Sequence, residues 1–323
     1  MAVCLVLVGA ILAYAVARLI MPQLGTAGIT GRDIHKPARP EIAEMGGLAI
    51  LCAFVAGVLA ASGAVSFLKW FGDADLVLLL ASLGSVLIAA LVGILDDLLD
   101  LPQGVKAVLP LAAAIPLMAV RAGDSVVVIP AFGPVDLWIL YPLAAIPCAM
   151  TVAANGVNML AGFNGLEAGL GLSALGSLTI IAWHLGETTA LLLLLPAVGA
   201  LAGFLPLNWY PAKIFVGDVG TLTIGAIVAA AVIIGDFEVA GLILLTPYVI
   251  DFVLKAANRF PTRGWGGELR SDGKLYCPEH GPVGLCQLIL KVTGGIHEQT
   301  LVLVLVGLES VLGVCAILLY VLN

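Results

Sequence analysis

The chain has 323 residues, 61% of them apolar and only 11% charged, against roughly 25% charged in soluble domains, and its mean hydropathy is +1.14. That balance excludes an ordinary water-soluble domain and reads as an integral membrane protein, and no basic tract offers a footprint for nucleic acid. The net charge of −7 carries little weight, because orientation in a membrane follows where Lys and Arg lie rather than their balance with acids.

Ten apolar runs follow one another, at residues 1–20, 43–63, 76–95, 104–121, 138–155, 165–183, 188–207, 221–235, 239–256 and 299–322, each near the ~20 residues that cross a bilayer. They predict an all-α, polytopic, multi-pass protein with about ten transmembrane helices and a single membrane-embedded domain, 1–323. The first run lacks a basic leader and carries Arg18 at its far end, which predicts a retained helix with the N-terminus outside. An even count then puts the C-terminus outside as well. Arg18, Arg32, Lys36, Arg39, Lys106, Lys213, Lys255, Arg259, Arg263, Arg270, Lys274 and Lys291 fall on the inner side of this topology, and only Lys69 and Arg121 on the outer, a clear positive-inside bias. The outer segment 124–137, DSVVVIPAFGPVDL, alternates in its first half and turns at Pro-Ala-Phe-Gly-Pro, which predicts a small hairpin. Six scattered cysteines give no disulfide framework, and the spacing of Cys277, His280 and Cys286 matches no zinc pattern.

Chemistry-bearing residues gather on the inner side. At the inner end of the third run, LVGILDDLLDLPQGVK puts Asp96 and Asp100 four apart on one helical face with Asp97 adjacent and Lys106 a turn or two beyond. Three carboxylates at one interface repel unless a cation sits among them; the plainer reading is a solvated helix end. In AANGVNMLAGFNGLEAG, residues 153–169, Asn155 and Asn158 share a face if the helix continues. Their amide oxygens are hard-cation ligands that add no charge, or else they cap helix ends. In NWYPAKIFVGDVGTLTIG, residues 208–225, Asp218 follows Gly217 just before an apolar run, where it faces a metal or serves as an N-cap. Asp and Asn from three inner segments fit one composite Mg²⁺ site, with Mn²⁺ able to substitute. Glu309, mid-helix in the last run, reads as a helix-packing or dimer contact, His184 as an interfacial residue, and Asp251 stays ambiguous.

Five stretches in this order, GRDIHKPARPEIAEMGG, LDDLLDLPQGVK, NGVNMLAGFNGLEAG, NWYPAKIFVGDVGTL and LILKVTGGIHEQTL, resemble the polyprenyl-phosphate N-acetylhexosamine-1-phosphate transferases. The likeness is strongest to the dolichyl-phosphate N-acetylglucosamine-phosphotransferase group and its archaeal relatives. It implies ten transmembrane helices, a homodimer, and a cytoplasm-facing site in the cell membrane. There an oxygen of polyprenyl or dolichyl phosphate attacks the β-phosphorus of a UDP-sugar and releases UMP, with Mg²⁺ as cofactor. Carried over by motif, Asn158 and Asp218 are implied as metal ligands, Asp96 and Asp97 as the acidic pair and Lys106 as the lysine beside the phosphates. Arg32, Glu44 and Asn164 are implied in the uridine pocket, with Asn155 lining the same nucleotide-sugar pocket. The inner loop 257–298 is implied to recognise substrate. It departs from its eukaryotic relatives, whose Arg-His-Arg cluster is reduced here to Arg263 in RFPTRGWGGELRSDGKL; this bears on which UDP-N-acetylhexosamine is the donor more than on reaction type. The rival classes are a secondary transporter, which would carry carboxylates near the bilayer midplane in both halves, and a catalytically inert lipid-binding relative.

Overall fold

A computed structural model describes residues 2–129, 133–261, 264 and 266–322. In chain order, α1 (Ala2–Thr26) leads into a hairpin of β1 (Thr30–Arg32) and β2 (Glu41–Ala43), followed by α2 (Gly47–Leu68) and α3 (Leu76–Leu99). Next come α4 (Gln103–Val108), a 3-10 helix (Leu109–Ala114) and α5 (Ile115–Ala119). Strands β3 (Val126–Ile129) and β4 (Gly133–Asp136) pair antiparallel with Val126 opposite Asp136, the hairpin expected there. A π-helical turn (Tyr141–Ala145) opens α6 (Ile146–Met159), and α7 (Leu166–Leu185), α8 (Thr188–Asn208) and α9 (Gly217–Ile234) follow. Then come α10 (Glu238–Leu244), α11 (Thr246–Ala257), a two-stranded β5 (Glu268–Leu269) and β6 (Leu275–Tyr276), α12 (Leu285–Thr293) and α13 (Glu298–Val321).

All ten apolar runs are helical, but they are not ten straight spans. Seven helices, α1, α2, α3, α7, α8, α9 and α13, are long and apolar enough to cross a membrane, and α10 with α11 makes an eighth if that bent pair counts as one. The expected spans at 104–121 and 138–155 are interrupted. Pro110 and Pro116 sit at the starts of two successive short helices in the first, and Pro142 in the π-turn of the second, each removing a backbone donor and crowding the preceding turn. The α10–α11 pair bends by 55° just ahead of Pro247, which stands in the first turn of α11.

Helix α9 is the centre: every residue from Val219 to Ile234 is buried, as suits a helix apolar all round. Helix α1 lies outside and buries only Gly9, Ala13, Ala17 and Leu24, the first three being small residues that let backbones approach in a membrane. Gly203 of α8 meets Ala10 there so closely that an added Cβ would stand 2.0 Å from the Ala10 carbonyl oxygen. Asp75 starts α3, its carboxylate accepting from the Val77 and Leu78 N–H groups at 2.7 and 3.1 Å, while its own N–H donates to Thr189 Oγ1 at the start of α8. Asp75→Ala is expected to cost about 1 kcal/mol of stability through the lost cap, read as a lower melting temperature in detergent; an unchanged value would show the cap to be dispensable.

Candidate active site

The α3 C-terminus and the α9 N-terminus meet because glycine sits between them. Gly217 opens α9 at φ +72, in the left-handed region that a side chain resists, and an added Cβ would stand 2.9 Å from Asp97 Oδ2. That turn aims two free N–H groups outward: Asp218 N–H donates to Asp97 Oδ1 at 2.8 Å and Val219 N–H to Asp97 Oδ2 at 2.9 Å. Asp97 thus caps α9 from a different helix, satisfying donors that have no partner within it.

Asp96, its neighbour on α3, faces Lys106. It is buried, accepts from the Leu101 N–H at 3.0 Å and lies 2.7 Å from Lys106 Nζ. Lys106 is also 3.6 Å from Asp100 and 3.8 Å from Asp218. Asp100 reaches it from the α3 cap, at φ +47, rather than from the helical face expected for it, because α3 ends at Leu99. Asn158, in the last turn of α6, donates Nδ2–H to Asp218 Oδ1 at 2.8 Å and to Thr221 Oγ1 at 3.1 Å. Asp96, Asp97, Lys106, Asn158 and Asp218 are therefore brought together from four helices. Thr221, three residues beyond Asp218 on the same face of α9, is the member that sequence reasoning missed; that spacing was the available signal.

Glu44 sits beside this cluster, half-buried between β2 and α2, where burial and the nearby Asp97 carboxylate push its carboxyl above the usual range. The segment between α1 and α2 is fastened to the segment before α9: Phe215 N–H donates to the Ala43 carbonyl, and Gly46 and Gly47 N–H donate to those of Phe215 and Val216, at 2.7 to 2.8 Å. Arg32 is on the surface, its side chain 73% exposed, 3.7 Å from Glu41. Asn155 turns away from Asn158's partners and donates to the carbonyls of Ala107 and Thr151 at 3.1 and 3.0 Å, which ties α6 to α4. Arg263 lies outside the described residues.

Asn164 belongs to a second, buried network. Its Nδ2–H donates to Asp33 at 3.1 Å, its Oδ1 accepts from Ala212 N–H at 2.7 Å, and its own N–H donates to Glu298 at 2.8 Å. Lys36 completes it, 3.1 Å from Asp33, paired with Glu298 and 4.1 Å above the Tyr210 ring. Neighbouring His35 stacks on Phe163, centroids 4.5 Å apart, and burial lowers its pKa to about 4.

Among the described residues one set of three metal-type ligand atoms lies within 4.8 Å, from Asp33, His35 and Glu298; the Lys36 ammonium already supplies their cation. Cys277, His280 and Cys286 form no such set there. The Asp218 cluster is the better fit to a hard divalent ion. Asp96 and Asp218 offer carboxylate oxygens and the Asn158 amide carries one more, although it turns its Nδ2–H to Asp218 here; the Asp97 oxygens accept from α9 N–H groups, and the Asp218 side chain is 30% exposed.

Residues 79–236 match the profile of glycosyl transferase family 4. The chain is 37% identical over 316 residues, 97% of its length and 95% of the relative's, to a Saccharolobus solfataricus protein provisionally named UDP-N-acetylglucosamine–dolichyl-phosphate N-acetylglucosaminephosphotransferase. A Dictyostelium discoideum protein bearing that name without qualification is 26% identical over 365 residues, covering 94% of this chain and 85% of the relative. A Bacillus subtilis protein, provisionally named undecaprenyl-phosphate N-acetylglucosaminyl 1-phosphate transferase, is 30% identical over 235 residues, 72% of this chain and 61% of the relative.

Proposed function

The chain belongs to glycosyl transferase family 4, and from that premise we propose that it transfers N-acetylglucosamine-1-phosphate from UDP-N-acetylglucosamine to a dolichyl or polyprenyl phosphate, releasing UMP. This is the first step of lipid-linked glycan synthesis. The observation that carries the reading is the convergence of Asp96, Asp100 and Asp218 on Lys106, within 2.7 to 3.8 Å, at the end of the bundle where the inner loops meet.

The lipid phosphate is already an anion at neutral pH, so the transfer asks for positioning and charge neutralisation more than for a strong base. One of its oxygens bonds to the β-phosphorus of the donor while the bond from that phosphorus to the bridging oxygen breaks, and the electron pair leaves on UMP. Lys106 offsets the charge on the diphosphate. Asn158 and Asp218, with Asp96 nearby, would hold Mg²⁺, or Mn²⁺ in its place, which when bound supplies further neutralisation of the diphosphate. Asp97, with both oxygens committed to α9 N–H groups, positions Asp218. Glu44 at the margin of the cluster is suited to a nucleoside hydroxyl; Asn164 acts by fixing the loop around it; Arg32 on the rim and Arg263 are assigned to donor binding on the family resemblance, and Asn155 on its place beside Asn158 in the stretch 153–169.

The protein works as one domain, multi-pass in the cell membrane, with the cluster on the cytoplasmic side, a placement that the bias of Lys and Arg toward the inner loops supports. The homodimer rests on the resemblance. A transporter would carry its ionisable groups at mid-membrane; here Asp96, Asp97, Lys106 and Asp218 stand at helix ends, and mid-helix Glu309 has buried carboxylate oxygens with no hydrogen-bond partner among the described residues.

The test is UMP release by purified protein with UDP-N-acetylglucosamine, dolichyl or polyprenyl phosphate and Mg²⁺. Release is expected to need the lipid and to fall by about 100-fold or more in Asp218→Ala, the equivalent of several kcal/mol of lost charge stabilisation. Activity with another UDP-N-acetylhexosamine only would reassign the donor, and silence with every donor in folded protein would overturn the reading.

A further inference from the structure

Asn158 lies one residue from the end of α6, so its aim at Asp218 depends on how that end is held. The last carbonyls of a helix have no partner within it. Leu160 N–H takes the Gly156 carbonyl at 3.1 Å, and the Met159 carbonyl accepts from Lys255 Nζ. Lys255 comes from the last turn of α11, and a cation at a helix C-terminus is favourable. Its side chain is 14% exposed, so it is not simply an anchor in the aqueous interface.

One turn earlier on α11, Asp251 is buried, its side chain 2% exposed, and 2.8 Å from Lys255. Its other oxygen accepts from the Leu285 N–H at 2.8 Å, the first residue of α12, whose own N-cap, Gly284, offers no side chain. Gly284 also makes room: an added Cβ would stand 2.7 Å from Asp251 Oδ1. Helix α12 in turn gathers the long inner loop through fully buried Gln287, whose Nε2–H donates to the carbonyls of Gly264 and Gly266 and whose Oε1 accepts from Val283 N–H.

We propose that the buried Asp251–Lys255 pair is a positioning device that sets the end of α6, and so the aim of Asn158 at Asp218, and couples that setting to the inner loop through α12. Neither residue touches substrate. The inference rests on the reading of Asn158 and Asp218 as metal ligands; a groundless coupling and a wrong ligand assignment give different results in metal titration.

The experiment is Mn²⁺ titration of the full chain in nanodiscs, followed by loss of the free-ion EPR signal, alongside half-saturating Mg²⁺ and the KM for lipid phosphate in UMP release. Lys255→Met is expected to weaken Mn²⁺ binding by about 10-fold or more, the effect of removing a group that orients a ligand. Half-saturating Mg²⁺ should rise in parallel while the lipid KM holds, and Lys255→Arg should restore both. If Lys255→Met is not recovered folded, Asp251→Asn, which keeps an acceptor for Leu285 N–H but loses the charge pair, carries the same expectation. Metal affinity within two-fold of the parent in folded Lys255→Met or Asp251→Asn would overturn the coupling. Absence of Mn²⁺ binding in the parent chain itself would overturn the ligand assignment instead.

Discussion

Asp97→Asn is expected to cut lipid-dependent UMP release by about 100-fold at saturating Mg²⁺, the effect of displacing a catalytic constellation by a fraction of an ångström to an ångström. The carboxylate accepts from two adjacent backbone N–H groups, of Asp218 and Val219. An amide has one acceptor oxygen, so its NH₂ would face one of those donors and leave it unsatisfied in a half-buried place, at about 1 to 3 kcal/mol. The start of α9 must then shift, and Asp218 with it. Measuring turnover and melting temperature on the same preparation separates a displaced site from an unfolded chain. Full turnover in Asp97→Asn would remove it from the acidic pair and show that Asp96, Lys106 and Asp218 suffice.

Gly93→Ala attacks the same junction without touching a charge. Gly93 is one turn before Asp97 on α3, and an added Cβ would stand 2.5 Å from the Asp218 carbonyl oxygen and from Val219 Cα. Both are backbone, so no rotamer change relieves the clash and the two helices must part. Overpacking of this kind costs about 1 to 3 kcal/mol, and here the separation opens at the level where Asp97 reaches α9. Activity is therefore expected to fall by about 100-fold or more, with a lower melting temperature in detergent. An enzyme of parental activity and stability would show that α3 and α9 can part here without disturbing the site.

The apolar runs made the helical content legible because lipid requires backbone groups to be satisfied within a segment. What they hid was continuity. Pro110, Pro116, Pro142 and Pro247 were in plain view, but a hydropathy window averages over them, so three runs read as simple spans where the chain turns, tightens or bends. In the site, the Asp96–Lys106 and Asn158–Asp218 pairings were anticipated by residue type and by the common end of the bundle they occupy. The role of Asp97 was not, because capping across helices leaves no periodic trace. Asn155 and Asn158 were grouped by spacing, yet one serves α4 and the other α9, since a three-residue step on a helix swings a side chain about 60° away. Lys36, Asp33 and Glu298 escaped notice because Glu298 and Asn164, which close the network, lie far in sequence from Asp33 and Lys36, and Asp251, ambiguous in isolation, acquires meaning only beside Lys255 and Leu285.

That sequence distance sets an order of assembly. Lys36 lies between α1 and α2 and Glu298 opens α13, 262 residues later; the same glutamate receives the Asn164 N–H. While the chain is being made, N-terminal segments enter the membrane first, and until α13 arrives the Lys36 ammonium has Asp33 but not Glu298, and the Asn164 amide lacks its acceptor. Each group left unsatisfied in a buried place costs about 1 to 3 kcal/mol. A polypeptide truncated before Glu298 can therefore hold every residue of the Asp96, Asn158 and Asp218 cluster and still fail to close the loops around it, so that competence for transfer is acquired only with the final helix.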